Sequence, residues 1–135
     1  MNADAQEYRQ ELVVHAENLS SIRRSLRDQL RDWGLGLIAY DVEVCTNELL
    51  TNVHDHAGTD DCEMTLSRRR NRIRVVVSDN SGALPEIKEC TDAAEDGRGL
   101  SLVASLSSDW GASPRAHGGK DVWFEFRLDE GELAA

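Results

Sequence analysis

The spacing of apolar residues changes along this chain from the period of a helix to the period of a strand. Between residues 18 and 34 the apolar side chains recur every three or four positions, as on one face of a helix: Leu19, Ile22, Leu26, Leu30 and Trp33. Asn18 stands where helix caps are favoured, and Gly34 stands where helices end. We therefore predict a first helix that buries this stripe.

A second helix is predicted over residues 41–57. Its apolar stripe also has helical spacing and consists of Val42, Cys45, Leu49 and Val53. Glu48 lies about 60° around the helix from Cys45, and Asn52 follows one turn after Glu48. The acid and the amide therefore border the buried stripe, where polar side chains usually bind a hydrogen-bond partner or a ligand.

Beyond Gly58 the apolar residues recur at every second position, which is the period of a strand with one buried face. The alternation runs through three segments, at residues 62–67, 73–79 and 122–128. Residues 68–71 are polar and make a plausible hairpin turn between the first two segments. Three strands are predicted here.

Two further elements complete the predicted order. Residues 11–16 carry enough β-branched side chains for a short strand. After residues 97–99, a third helix is predicted on the spacing of Leu100, Val103, Leu106 and Trp110. The order β–α–α–β–β–loop–α–β predicts a single α+β domain over residues 1–135. It would be a two-layer α/β sandwich, with helices on one face of a mixed, mostly antiparallel sheet.

Charge and composition exclude several classes of protein. A formal net charge of −10 argues against nucleic-acid binding, which needs clustered Lys and Arg, so the basic residues 67–74 are interpreted as a solvated hairpin. The first ten residues lack the apolar region of a signal peptide, and no apolar run approaches the roughly 20 residues that cross a bilayer. Cys45, Cys62 and Cys90 lack metal or redox spacing, which favours reduced thiols and a cytoplasmic location.

The acid–amide pair on the second helix is the first candidate site. The amide oxygen of Asn52 suits Mg²⁺, which prefers oxygen ligands and commonly keeps water and substrate phosphates in its shell. Glu48, one turn earlier, could accept a proton from a hydroxyl or a water. The alternative is an ordinary solvated helix face.

A second candidate is Asp79, which follows a β-branched run and therefore stands at the end of a strand. Its carboxylate could accept a hydrogen bond from an exocyclic amine such as that of adenine. Gly82 and Pro85 would turn the chain away from the strand. The alternative interpretation is a turn-forming Asx residue.

The third candidate is the glycine pair that introduces the third helix. The amides of Gly97 and Gly99 could face an anion at the positive end of the helix dipole, with Arg98 adding a charge. The segment is neither a phosphate-binding Walker loop nor a dinucleotide fingerprint. Alone, a Gly-x-Gly pattern does not decide between a binding loop and a simple helix start.

In chain order these motifs resemble the ATP-binding (Bergerat) fold that gyrase, histidine kinases and mismatch-repair ATPases share, the GHKL superfamily. More closely, from about residue 12 to residue 128 the chain resembles the bacterial anti-sigma-factor serine kinases of the RsbW and SpoIIAB type. Residues 47–58 resemble the N box of that family, residues 77–85 its first glycine box, and residues 97–103 its second.

The resemblance implies a role for each candidate residue. Asn52 would ligate Mg²⁺, Glu48 would be the general base, and Asp79 would bind the adenine amine. Arg24 falls where the family has an arginine that contacts its protein partners. The remaining nucleotide-binding positions, most of them in a lid that faces the phosphates, would be Gly82, Gly97, Arg98, Gly99 and Leu100.

Two positions depart from the family pattern. Ser81 and Ala83 replace glycines of the first glycine box and flank Gly82, so the backbone path there could differ. Asp121 stands where relatives often carry a threonine that supports adenine through water. An anion there would weaken ATP binding if it faced the site, and would have no such effect if it pointed outward.

The implied function is an ATP- and Mg²⁺-dependent regulator. It would sequester a sigma factor, phosphorylate a serine of a STAS-type antagonist and form a homodimer, without binding nucleic acid or membrane. One alternative is a non-catalytic partner-switching module with weak or no nucleotide binding. Another is the detached catalytic domain of a histidine kinase, which the short lid and the lack of a dimerisation helix disfavour.

Overall fold

The computed structural model describes residues 5–56, 61–80, 95–116 and 118–128. The helices are α1 (Leu19–Asp32), α2 (Ala39–His56) and α3 (Glu95–Leu106). The strands are β1 (Ala5–Val13), β2 (Asp61–Arg69), β3 (Arg72–Asp79), β4 (Asp109–Pro114) and β5 (Lys120–Arg127). They form one sheet in the order β1-β2-β3-β5-β4, and each neighbouring pair is antiparallel. The predicted α+β fold class is confirmed.

Helix α1 buries its predicted stripe and ends where its glycine allows. Ile22, Leu26 and Leu30 are buried. Gly34 has a positive φ of 77°, and the N–H of Leu35 donates to the carbonyl of Leu30 at 2.8 Å, which closes the helix as a Schellman motif does. The side-chain amide of Asn18 instead donates to the carbonyl of Val13, so it ties the preceding strand to the helix.

Helix α2 also follows its predicted stripe: Val42, Cys45, Leu49 and Val53 are all buried. A charged pair joins it to α1. The Nε and Nη2 atoms of Arg27 donate to Oε1 of Glu43 at 2.9 and 2.6 Å. Glu43 is only 7% exposed, and its carboxylate raises the pKa of Arg27. The guanidinium therefore compensates a buried negative charge and holds the two helices together.

The sheet has one apolar face and one polar face, as its period of two requires. The face toward the helices buries Met64, Leu66, Ile73, Val75, Val77, Val122, Phe124 and Phe126. On the opposite face the guanidinium of Arg74 lies 4.2 Å from the ring centroid of Trp123 and 2.8 Å from Oε1 of Glu125. A Cβ on Gly111 would come within 2.8 Å of the Trp123 ring, so this position in β4 accommodates the indole.

The prediction of the third helix was partly wrong. Helix α3 ends at Leu106, and Trp110 lies in β4, where it pairs with Phe124 of β5. Sequence periodicity missed β4 because this edge strand is six residues long and contains both Gly111 and Pro114. Its structure comes from pairing with β5 rather than from a pattern of its own.

The first strand also differs from its prediction over residues 11–16. Strand β1 begins at Ala5 and pairs with β2 from Ala5↔Arg69 to Val13↔Asp61. The polar composition of its first half conceals it, because this strand lies at the sheet edge and Tyr8 is only partly covered. Among the described residues, no helix is both long and apolar enough to span a membrane.

Candidate functional site

Glu48 and Asn52 lie on one face of α2, at the border of the core. Both are half-buried, and they follow the buried Cys45 and precede the buried Val53 in the helical order. Burial raises the pKa of the Glu48 carboxyl above its ordinary value, because removing water disfavours the charged form. The predicted position of the pair at the edge of the core is confirmed.

The carboxylate of Glu48 contributes to a groove between α1 and α2. This groove has a volume of about 420 Å³ and is lined by Arg23, Arg27, Tyr40, Glu43, Val44, Asn47 and Glu48. Tyr40 stands at its rim and is 73% exposed. In the described part of the chain, the buried Oδ1 atom of Asn47 has no hydrogen-bond donor. The groove is therefore lined by Glu48, the candidate general base, together with arginine, aromatic and amide side chains.

Asp79 is the last residue of β3 and is 2% exposed. Its register partner is Lys120, the first residue of β5, which is 1% exposed. The Nζ atom of Lys120 lies 3.5 Å from Oδ2 of Asp79. The predicted strand-end position of the carboxylate is confirmed, and the structure adds a buried cation beside it.

Sequence reasoning missed Lys120, although the strand period contained the signal. Val122, Phe124 and Phe126 were predicted to face the core, so the residue two positions before Val122 must face it as well. A lysine at an inward position is rare unless it is paired. The two-residue period of the strand would therefore have placed the ammonium group of Lys120 next to Asp79.

The glycines before β5 allow this close approach. Gly119 has a φ of +86°, and a Cβ there would overlap the carbonyl oxygen of Asp79 and lie 3.1 Å from Cα of Asn80. Only a residue without a side chain lets the start of β5 pass so close to the end of β3. The double glycine thus positions Lys120 against Asp79.

Asp121 points away from the helices. It lies at the register position opposite Ser78, whose Oγ atom donates to Oδ1 of Asp121 at 2.6 Å. Arg115 approaches the same oxygen at 3.7 Å. The anion that departs from the family pattern is therefore held on the outer face of the sheet, so the outward alternative is correct.

The remaining predicted residues are placed only in part. Arg24 is exposed on α1. The segment 97–100, with Gly97, Arg98, Gly99 and Leu100, lies within the first two turns of α3, which begins at Glu95. Gly82, with its neighbours Ser81 and Ala83, lies outside the described residues. The roles given to these residues stay predictions.

The elements that carry the candidates are neighbours. Helix α2 packs against β3, β5 and α3, so the acid–amide pair, the buried Asp79 and the start of α3 belong to adjoining elements. On α2 the amide of Asn52 and the carboxyl of Glu48 are one turn, about 6 Å, apart along the axis. The amide oxygen of Asn52 fits a hard cation that completes its shell with water and phosphate oxygens.

An antiparallel sheet covered on one face by helices, with an acid–amide pair on one helix and a buried aspartate at a strand end, is the architecture expected of a GHKL-type ATP-binding domain. The model of the histidine kinase-like ATPase domain matches residues 12–126. That range is most of the chain, so the protein belongs to the histidine kinase-like ATPase domain family. No curated protein matches the chain.

Proposed function

We propose that this protein is an ATP- and Mg²⁺-dependent regulator that sequesters a sigma factor and phosphorylates a serine of a STAS-type antagonist. The observation that carries the proposal is the half-buried Glu48 and Asn52 on one face of α2, in a histidine kinase-like ATPase domain. Burial raises the pKa of this carboxyl, and acids with perturbed pKa values are common among catalytic groups.

Each nucleotide-binding role follows from the chemistry of a side chain. Asp79 accepts a hydrogen bond from the amine of adenine, and the amide oxygen of Asn52 is a ligand for Mg²⁺. The metal, when bound, neutralises charge on the phosphates. Gly82 and residues 97–100 complete the proposed enclosure of the nucleotide.

Glu48 is the proposed general base. The hydroxyl oxygen of the substrate serine attacks the γ-phosphorus, its proton passes to the carboxylate of Glu48, and ADP leaves with the bridging oxygen. The raised pKa makes this carboxylate a stronger base than an exposed glutamate. Most of the rate enhancement comes from positioning and charge neutralisation.

The arginines of α1 support a proposed protein-binding surface. The chain has a net charge of −10, yet this helix carries four arginines: Arg23, Arg24, Arg27 and Arg31. Arg24 is exposed, and the neighbouring groove leads to Glu48. A partner with acidic groups is complementary to this helix and would bring its serine toward the base. A homodimer is part of the same proposal.

The test is phosphate transfer from Mg-ATP to STAS-domain proteins of the source organism. Glu48→Ala is expected to lower the transfer rate by about 100-fold or more while ATP affinity is retained. Glu17→Ala, an exposed acid outside the site, is the matched control and should transfer at the wild-type rate. Full transfer by Glu48→Ala would contradict the assignment of the base.

A non-catalytic binding module is the second candidate function. The ion pair between Lys120 and Asp79 favours it, because the lysine engages the carboxylate that adenine would use. Calorimetry separates the two functions. Tight binding to a sigma factor, with no heat on adding Mg-ATP, would support the module and contradict the kinase.

A further inference from the structure

We infer that two copies of this chain pair through the free edge of β1, as antiparallel strands that join their two five-stranded sheets into one. The inference rests on the proposed function only in that a homodimer is part of it, and it locates the surface between the copies. In this pairing Gln10 lies on the two-fold axis, and Arg9 of each copy lies opposite Glu11 of the other.

The two edge strands of the sheet differ in how they are protected against further pairing. Strand β4 has six residues and contains Gly111 and Pro114, which both weaken strand pairing. Strand β1 has nine residues without proline, glycine or lysine, and it pairs with β2 at every position from Ala5 to Val13. Natural proteins usually protect so long and regular an edge. Strand β1 is therefore the edge that is suited to accept another strand.

The charged residues of β1 make this strand complementary to a second copy of itself. Leu12 is buried toward the helices, so Glu7, Arg9 and Glu11 lie on the opposite face of the sheet. All three are exposed. Their order is acid, base, acid, so an antiparallel copy can place an arginine opposite a glutamate twice.

Strand geometry leaves few registers for this pairing. The backbone groups of alternate residues point to the free edge, so only residues an even number of positions apart, or identical ones, can pair across the two-fold axis. Centring the pair on Arg9 opposes two arginines, and centring it on Glu7 or Glu11 opposes two glutamates. Centring it on Tyr8 or Gln10 opposes unlike charges instead.

Glu11 lacks a cation within its own chain. Across the β1–β2 ladder it lies directly opposite Glu63, and like charges in that arrangement are destabilising. The Nε atom of Arg9 lies 3.7 Å from Oε1 of Glu63. In the described part of the chain, no positive side chain pairs with Glu11. A second copy can supply the missing charge.

This need selects the register that is centred on Gln10. Centring on Gln10 brings Arg9 of the other copy to Glu11. Centring on Tyr8 brings it to Glu7, which Arg9 already approaches at 3.9 Å within its own chain. Only the first register pairs the unmatched carboxylate.

The helix-facing side of β1 fits the same register. Tyr8 is only partly covered, and it packs against the core beside Leu12. Centring the pair on Gln10 places Tyr8 of each copy opposite Leu12 of the other. Apolar side chains that face each other across neighbouring strands stabilise a sheet, and the new ladder also pairs backbone groups at the free edge.

The experiment measures the dimer dissociation constant by sedimentation equilibrium, without nucleotide. Wild type should shift from monomer to dimer as its concentration rises. Arg9→Glu opposes two acids at both symmetric positions, and Glu11→Arg opposes two arginines. Each should raise the dissociation constant by about 10-fold or more. The double variant Arg9→Glu/Glu11→Arg opposes unlike charges again, and its dissociation constant should return to within about threefold of wild type.

Arg127→Glu is the matched control, because Arg127 is exposed on β5, away from β1, and the change in net charge is the same. Its dissociation constant should equal that of wild type, and circular dichroism melts confirm that each variant folds. If Arg9→Glu does not fold, Arg9→Ala removes the charge without reversing it and should weaken the dimer by a smaller factor. Weakening by the control equal to that by Arg9→Glu would overturn the inference.

Four other outcomes would also overturn it. They are a wild type that stays monomeric, a dimer that Arg9→Glu and Arg9→Ala leave unchanged, no recovery in the double variant, and recovery of Arg9→Glu by Glu7→Arg instead of Glu11→Arg. Phosphate transfer from Mg-ATP keeps this result separate from the proposed function. Transfer by a monomer would leave the kinase standing without this interface, and a dimer that transfers no phosphate would leave the interface standing without the kinase.

Discussion

A single helical position, Glu48, shows how burial prepares a side chain for chemistry. Its carboxyl lies at the edge of the core, and loss of water raises its pKa. An acid with a raised pKa is a better proton acceptor and costs more to keep ionised. Both consequences are measurable on the same residue.

The pH dependence of phosphate transfer tests the first consequence. Glu48 must be ionised to accept a proton, so the rate should rise with pH as this carboxyl ionises, and the rise should lie above the range of an ordinary glutamate, about pH 4.3. The measurement is the single-turnover rate across that range, with ATP affinity at each pH as the control. A rate independent of pH there would contradict the assigned base.

The pH dependence of stability tests the second consequence. The pKa of Glu48 is higher in the folded than in the unfolded protein, so the protonated carboxyl favours the folded state. Its contribution to the free energy of unfolding is therefore complete below the unfolded-state pKa and is lost as pH rises through the folded-state pKa. Glu48→Gln, which mimics the protonated acid, should have a higher Tm than wild type at neutral pH, and the gap should close on acidification. Thermal melts of both proteins measure this difference.

The control for that experiment is Glu17→Gln, a substitution at an exposed acid. Its Tm should follow that of wild type at each pH. A Glu48→Gln gap that stayed constant with pH would show that the amide stabilises by packing rather than by removing a buried charge.

The pairing of strands determines parts of the candidate site that no single side chain determines. The β4–β5 connection places two glycines with positive φ at the start of β5, and the second of them passes against the end of β3. Strand β5 lies between β3 and β4 in the sheet, so an error at its start affects two pairings. The candidate site therefore depends on the backbone of a strand end as much as on its side chains.

Gly119→Ala tests this dependence. The added Cβ would overlap the backbone of Asp79 and the positive φ would be strained, so we expect a loss of about 2 kcal/mol or more in the free energy of unfolding. Urea denaturation measures it. The matched control is Gly36→Ala, where the Cβ meets only Arg31 at 3.8 Å, and it should change stability by less than about 0.5 kcal/mol. Equal effects would contradict the close approach.

At the scale of the whole molecule, the two layers bury the thiols of Cys45 and Cys62. Cys45 in α2 and Cys62 in β2 belong to the same core, between the helices and the sheet. Burial raises the pKa of each thiol to about 12. Since the thiolate is the reactive form, both should be inert while the core is closed.

Thiol labelling therefore reports opening of the core. In a Cys90→Ser background, Cys45 and Cys62 should react with a thiol reagent at neutral pH only as fast as the domain opens, and mild denaturant should speed both reactions. Mass spectrometry of labelled protein against time measures the rates. Labelling of either residue at the rate of a free thiol would contradict the packing of α2 on the sheet.

Much of the fold could be predicted because local periodicity and tertiary burial agree. The stripes of α1 and α2 and the alternation of β2, β3 and β5 are strong, since each element is long and one face is covered. Edge elements were predicted poorly. Half-covered strands such as β1 and β4 need less apolar patterning, so their pairing partners determine where they begin and end.

For the candidate site, the sequence by itself determined which chemical groups are present and where they fall within their elements. The spacing of Glu48 and Asn52 on a helix and the strand-end position of Asp79 followed from helix and strand periods alone. The tertiary structure determined which side chains contact each other. It turned Asp121 toward the outer face of the sheet, placed Lys120 beside Asp79 and paired Arg27 with Glu43. These contacts join residues far apart in the chain, and only the register of the sheet and the packing of the helices can specify them.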